Sequence, residues 1–421
     1  ERTRQSGQLG SLNRLLFGVM AAGTLLMAAA VFLPELWENL TAEGKDSQLY
    51  KNLDVLFVLT IGGILHKVSS GYMHALLRTV VPTLLSEVIV RLLSLCAVVL
   101  YAADYLLFDE LLWAYAGIYI MPGLVQLFLV GTDVKKMTSN GNSRTREMLV
   151  YGGYSVLDSG AAILINRLDM LMIGVFLPIE KVAYYSIAMF ISTVVQVPAR
   201  ALSSISTGLV SKYWAESNMG KIKEVYFKSS LNQLLFGGLF FALIWGNIYE
   251  IQQFLPSNYR GVTYVILFLG LSKWVNMAFG INGSILLTSS LYKWNFYLNV
   301  VLLGITVVTN YWLIPVFGIE GAALSTFLSM LVFNLLRFGF LWKRFKLQPF
   351  GQDHLLGLVL VTVVFFLGMI IPDLFGSSKQ GDLLEIIVRS VLLVGVFALA
   401  LYTLKISEEF NKLVKRFLPI I

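Results

Sequence analysis

Residues 293–346 read KWNFYLNVVLLGITVVTNYWLIPVFGIEGAALSTFLSMLVFNLLRFGFLWKRFK. Lys293 opens the stretch and two apolar runs follow at 295–316 and 319–341. Glu320 stands beside the turn between them, and Lys343, Arg344 and Lys346 close it. A helix needs about 20 apolar residues to cross the hydrocarbon core of a bilayer. Lipid offers a peptide group no hydrogen-bond partner, so spanning runs of this length are helices. Basic residues at both ends with an acid in the middle describe a membrane hairpin whose ends face the cytoplasm.

The same pattern extends in both directions. Further apolar stretches run over 15–36, 53–76, 81–103, 111–131, 148–177, 182–210, 229–249, 262–288, 354–373 and 383–404, which makes twelve. Alternate loops hold the bases: Arg2, Arg4 and Arg14; Arg78; Lys135, Lys136, Arg144 and Arg146; Lys212, Lys221, Lys223 and Lys228; Lys293; Lys343 to Lys346; and Lys405, Lys412, Lys415 and Arg416. The other loops hold only Lys45, Lys51, Lys181, Arg260 and Lys379 and most of the acids, Glu35, Asp46, Asp109, Glu180, Glu250 and Asp382 among them. The alternation is unbroken, and it places both ends of the chain in the cytoplasm.

Composition agrees, with 57% hydrophobic and 14% charged residues, far from a soluble globular chain. The net charge of +7 follows from basic loops facing an anionic inner leaflet, so nucleic-acid binding is not expected. Cys96 is the single cysteine, which excludes an intramolecular disulfide. There is no GxxxxGK[ST], HExxH or paired CxxC, and three histidines are scattered over 421 residues. The expectation is therefore no metal, no cofactor and no ATP hydrolysis, with energy drawn from a gradient.

Four segments are expected: an N-terminal lobe over 1–131, a cytoplasmic linker over 132–147, a six-helix C-terminal lobe over 148–345, and a terminal helix pair and tail over 354–421. A weak repeat at a shift of about 209 residues sets Gly71-Tyr72-Met73-His74 against Gly280-Ile281-Asn282-Gly283. It pairs spans two to four with eight to ten and leads to the expectation of a fourteen-helix parent with two helices before Glu1. Parallel lobes are a recurring transporter plan.

Charged groups within spans are expensive, about 2.5–3.5 kcal/mol each at mid-membrane, and point to partners or wet cavities. Glu87 and Arg91 are four residues apart and read as a structural pair. Arg337, near a cytoplasmic end, reads as a snorkelling residue, and Arg389 as a weaker candidate for function. In span six, Ser192, Gln196, Arg200, Ser203, Ser204 and Thr207 share a face, and Pro198 can bend the helix. In span five, Ser155, Asp158, Ser159, Asn166 and Asp169 cluster on one side, with Arg167 on another. Span eight adds Lys273, Asn276 and Asn282, and its glycines read as packing residues before hinges. Asp158 and Asp169 could pair with cations of neighbouring spans, Arg200 first among them. His74, in a polar segment of span two, is a candidate for titration.

Three strings carry a resemblance. They are Asn166-Arg167-Leu168-Asp169-Met170-Leu171-Met172-Ile173-Gly174, with Tyr184-Tyr185-Ser186 after it; Val197-Pro198-Ala199-Arg200-Ala201-Leu202; and Ile314-Pro315-Val316-Phe317-Gly318-Ile319-Glu320-Gly321-Ala322-Ala323. Over about 148–350 the chain resembles the Wzx-type polysaccharide flippases. These are oligosaccharide exporters of the multidrug/oligosaccharidyl-lipid/polysaccharide exporter superfamily. The resemblance implies an all-α, two-lobed polytopic transporter in the bacterial inner membrane, not an enzyme. Its implied partners are an isoprenoid-linked glycan and membrane lipids, with a glycan polymerase nearby. It also implies a cationic cavity holding Arg167, Arg200 and Lys273 with Asn166, Gln196 and Asn276, balanced or coupled through Asp158, Asp169 and His74. The competing readings are a multidrug or metabolite antiporter of the same superfamily and an integral glycan polymerase or ligase. The short outside loops argue against the last.

Overall fold

The computed structural model describes residues 52–75, 80–134, 145–372, 375 and 378–417. The side chains of His74, Asp158 and Arg200 lie outside the described residues, as does the first apolar stretch, 15–36. All regular structure among the described residues is helical. The helices are α1 (Leu53–Ala75), α2 (Val80–Ala102), α3 (Phe108–Val134), α4 (Thr145–Phe176), α5 (Glu180–Thr193), α6 (Val197–Ala215) and α7 (Met219–Gly246). They continue with α8 (Ile248–Gln253), α9 (Thr263–Ala278), α10 (Asn282–Leu287), α11 (Lys293–Phe345), α12 (Gln352–Ile370), α13 (Lys379–Thr403) and α14 (Glu408–Phe417). Among the described residues, eight helices are long and apolar enough to cross a membrane. The chain is a multi-pass membrane protein.

The chain divides into two compact units, Glu1–Val150 and Tyr151–Ile421. In the first, α1 packs on α3 because two glycines clear the way. A Cβ on Gly62 would lie 2.8 Å from Ile120 Cα, and one on Gly123 would lie 2.7 Å from Leu65 Cβ. Close approach of backbones is how helices gain dispersion contacts where lipid removes the hydrophobic drive. His66 and Ser70, from the polar segment of span two, are hydrogen-bonded within this contact. Ser70 Oγ donates to Gln126 Oε1 at 2.9 Å, and Gln126 Nε2 lies 3.1 Å from His66 Nδ1. The Glu87–Arg91 pair forms as expected, on an exposed face.

In the second unit two expected spans are not straight rods, and the expected hairpin turns between its two runs. Span six changes to a 3-10 turn at Val194–Gln196, between α5 and α6, with Pro198 in the first turn of α6; proline lacks the N–H that would continue the previous helix. Span eight breaks between α9 and α10 at Gly280, whose φ is +63°. A Cβ there would lie 2.9 Å from the backbone of Ser230, so this glycine serves both conformation and packing. The hairpin over 293–346 turns within α11 at Gly318, φ 60° and ψ −137°. Gly321 closes the turn, since its Cβ would strike the Leu313 carbonyl oxygen at 2.1 Å.

The terminal helices α12 and α13 dock on α7. Gly238 faces Val361, Gly246 faces Gly368, and Leu235, Leu239, Val364, Leu393 and Phe397 fill the core around them. Phe365 stacks on both Phe241 and Trp245 at interplanar angles near 10°. Arg389 bolts this corner: its guanidinium donates to Glu250 at 2.7 Å, Glu385 at 3.0 Å and the Gly246 carbonyl at 2.8 Å. Two carboxylates together with backbone carbonyl acceptors are what a buried cation needs to be tolerated.

Candidate functional site

Besides the Arg389 corner, two further buried polar clusters among the described residues of the second unit are each assembled from helices distant in sequence. The first surrounds Asp169, on α4 and only 7% exposed. Tyr185 Oη donates to its Oδ2 at 2.7 Å, Thr326 Oγ1 donates to the same oxygen at 2.5 Å, and Asn310 Nδ2 donates to Oδ1 at 2.9 Å. These are neutral donors from α5 and the two arms of α11. Hydrogen bonds to the charged form favour a carboxylate that burial would otherwise disfavour. Lys273, half-buried on α9, acts on Asp169 electrostatically.

The second cluster surrounds Arg337, on the second arm of α11. It does not reach for the interface as its position in the sequence suggests. The residue is 8% exposed, and its head turns inward. One Nη donates to Asn282 Oδ1 at 3.3 Å, and the other reaches Asn295 Oδ1 at 3.0 Å and Asn299 Oδ1 at 3.4 Å. Asn282 Nδ2 donates onward to Asn334 Oδ1 at 3.1 Å, and Asn334 Nδ2 to Asn276 Oδ1 at 3.2 Å. Every amide in this relay points its oxygen back toward the guanidinium. The aligned dipoles move the positive end of the chain out to the Asn276 amide. The face of Phe333 lies 4.2 Å from the guanidinium carbon, a favourable cation–π contact.

The relay borders a cavity of about 300 Å³ lined by Gln196, Gln233, Asn276, Asn282 and Arg337. The local sequence explains the geometry. The 3-10 turn before Pro198 presents Gln196, the break at Gly280 lets Asn276 and Asn282 converge, and Gly283 leaves room for Arg337, whose Nη1 would be 2.9 Å from a Cβ there. Amide oxygens solvate a guanidinium without neutralising it, and amide N–H groups accept no cation. The cavity is chemically suited to an anion or a polyol.

Of the residues expected to form one cavity, Gln196 and Asn276 share this one, and Asp169 and Lys273 are within electrostatic reach of each other. Arg167 and Asn166 are exposed on α4, with Arg167 Nη1 3.9 Å from Met170 Sδ. Arg200, Asp158 and His74 cannot be placed by side chain among the described residues. Sequence reasoning sent Arg337 to the interface and passed over Asn295, Asn299, Asn334, Gln233, Asn310 and Thr326. The signal was present as amides at helical spacing within apolar runs, Asn295 with Asn299 and Asn334 with Arg337.

The fold is that of multi-pass helical transporters. The structure is similar to a lipid II flippase, MurJ, in an inward closed conformation, with a TM-score of 0.69 over 96% of this chain and 87% of that one at 14% identity. It is also similar to the Vibrio cholerae MATE transporter VcmN, TM-score 0.60 over 81% and 82% of the chains at 13% identity. A MATE protein in the straight conformation matches with a TM-score of 0.55 over 79% and 76% of the chains at 16% identity. In sequence, 272 residues are 25% identical to the "Probable low-salt glycan biosynthesis flippase Agl15" of Haloferax volcanii. That match spans 62% of this chain and 57% of the relative's length. No protein-family model matches the chain.

Proposed function

We propose that this protein is a flippase that moves an isoprenoid-pyrophosphate-linked oligosaccharide outward across the bacterial cytoplasmic membrane. It would serve surface polysaccharide or lipopolysaccharide assembly and work by alternating access. The observation that carries the reading is the cavity in which Gln196, Asn276 and Asn282 meet a buried Arg337. A membrane helix does not bury a guanidinium among asparagines cheaply, and the planar donor fork matches phosphate oxygens. The likeness to MurJ and the sequence match to Agl15 support the same class. In this reading Arg167, Arg200 and Lys273, with Asn166, Gln196 and Asn276, bind the anionic head and its sugars, and Arg337 joins them. Asp158, Asp169 and His74 balance charge or couple the cycle to an ion, and the isoprenoid tail stays in lipid.

The second reading, an antiporter for cationic drugs or metabolites, is favoured by the likeness to MATE transporters. Vesicles holding the purified chain separate the two. The flippase reading expects translocation of a lipid-linked oligosaccharide and none of a cationic dye. Arg200→Ala should abolish export with the protein still in the membrane, while Arg200→Lys retains part of it. Dye transport without glycan movement refutes the flippase reading, and full export by the alanine variant removes Arg200 from the mechanism.

A further inference from the structure

At the end of α7 remote from the basic loops, a second cleft of about 580 Å³ opens among Trp245, Tyr249, Glu250, Thr263, Tyr264 and Arg389. The helix is 28 residues long, which at 1.5 Å per residue separates the cleft from Met219 by about 40 Å. Its volume is within the range of small-molecule sites, about 300–1,000 Å³. It is distinct in residues and in chemistry from the amide-lined cavity around Arg337.

Glu250 and Arg389 line the cleft, and Glu385 completes their buried ion-pair triad. Glu250 and Glu385 bring two negative charges to one guanidinium, and the side chains of all three are at most 6% exposed. One oxygen of Glu250 is taken by Arg389. The other, Oε2, is buried and has no hydrogen-bond partner among the described residues, and the same holds for Oδ1 of the neighbouring Asn247. Buried acceptors left without donors are uncommon and call for an explanation. The triad thus joins two carboxylates to one guanidinium and leaves two acceptors beside it without donors among the described residues. An ammonium group answers both, since it carries one positive charge and several N–H donors. The walls suit it as well, because Tyr249 and Tyr264 are 76% and 56% exposed and aromatic faces attract organic cations.

We propose that this cleft binds a primary ammonium group and that Glu250 is its anionic ligand. Such a group reaches the cleft in two ways: on the head of an aminophospholipid in the surrounding leaflet, or on an amino sugar of a transported glycan. The second source rests on the flippase reading and the first does not.

The test uses the full chain and two probes. In nanodiscs, native mass spectrometry compares retention of phosphatidylethanolamine with that of phosphatidylglycerol. In detergent, calorimetry compares glucosamine with N-acetylglucosamine, which keeps the hydroxyls and lacks the charge. Glu250→Gln preserves shape and leaves Arg389 its bonds to Glu385 and Gly246. It should weaken the ammonium probe by about tenfold or more, as expected for loss of a charge-assisted hydrogen bond. Tyr249→Leu, on an exposed wall and contributing no side-chain hydrogen bond to the triad, should weaken it several-fold. Selective lipid retention lost in Glu250→Gln supports the lipid source, and selective glucosamine binding lost in it supports the sugar source. Equal retention of the two lipids together with equal binding of the two sugars overturns the proposal. So does full binding by both variants. Neither result touches the export assay, so the two ideas fail separately.

Discussion

Asp169 and Arg337 carry opposite charges into the same unit, and both are solvated by neutral partners at helix contacts. Around Asp169 three donors converge on two oxygens. Asp169→Asn would turn an amide N–H against one of them and forfeit at least one hydrogen bond, at a cost of about 1–3 kcal/mol. The variant is expected to unfold at a lower temperature in detergent, while its transport in vesicles no longer responds to an imposed ion gradient. An unchanged gradient response would remove Asp169 from coupling. At this scale the sequence was partly legible. Gln196, Asn276 and Asp169 were found because polar side chains at three- and four-residue steps mark a non-lipid face. Arg337 was misread, because its distance from a helix end was visible and its partners were not. Asn295 and Asn299 approach it only after the chain turns at Gly318.

The elements are defined by where they break. Gly280→Ala places a Cβ 2.9 Å from the Ser230 backbone at a φ of +63°, and Gly318→Ala occupies a backbone region nearly reserved for glycine. Each is expected to cost about 1–3 kcal/mol. Gly304→Ala, in the middle of α11 with nothing within 4 Å of the added carbon, should be neutral or gain about 0.5–1 kcal/mol. Thermal unfolding of the three variants checks the order. Pro198 announced its break in the sequence. The turn at Gly318 was legible too, falling between the apolar runs 295–316 and 319–341, but Gly280 gave no such sign, since glycine in a membrane span marks close packing as readily as a hinge.

The amphipathic α14 is tethered to α7 by exposed charges, where Lys228 lies 2.9 Å from Glu224 and 3.0 Å from Glu409. Hydrogen bonds donated to Glu224 and Glu409 raise the Lys228 pKa, and the Lys228 ammonium lowers that of Glu224. The lysine contribution is complete below its ordinary value and is lost as pH rises through the raised one. The Glu224 contribution is present above the ordinary carboxylate range and is lost as pH falls through the lowered value. Amide exchange in α14 should therefore be slowest between about pH 5 and 10 once corrected for intrinsic rates. Because the groups are exposed, added salt should erase most of the difference.

At the scale of the whole molecule, the alternation of basic and acidic loops made the membrane class and the hairpins legible, because insertion itself sorts lysine and arginine to one side. The polar interior was less legible, because it is assembled by contacts between helices more than a hundred residues apart, as with Asp169 and Asn310. The account as a whole rests on Arg337 and its amide relay meeting an anionic head. The most direct measurement is the rate at which lipid-linked oligosaccharide crosses vesicles containing the wild type, Arg337→Lys or Arg337→Gln, each matched for folded protein. The account predicts a reduced but measurable rate for lysine, which keeps the charge and loses the fork, and at least a tenfold fall for glutamine. Wild-type translocation by Arg337→Gln would contradict it.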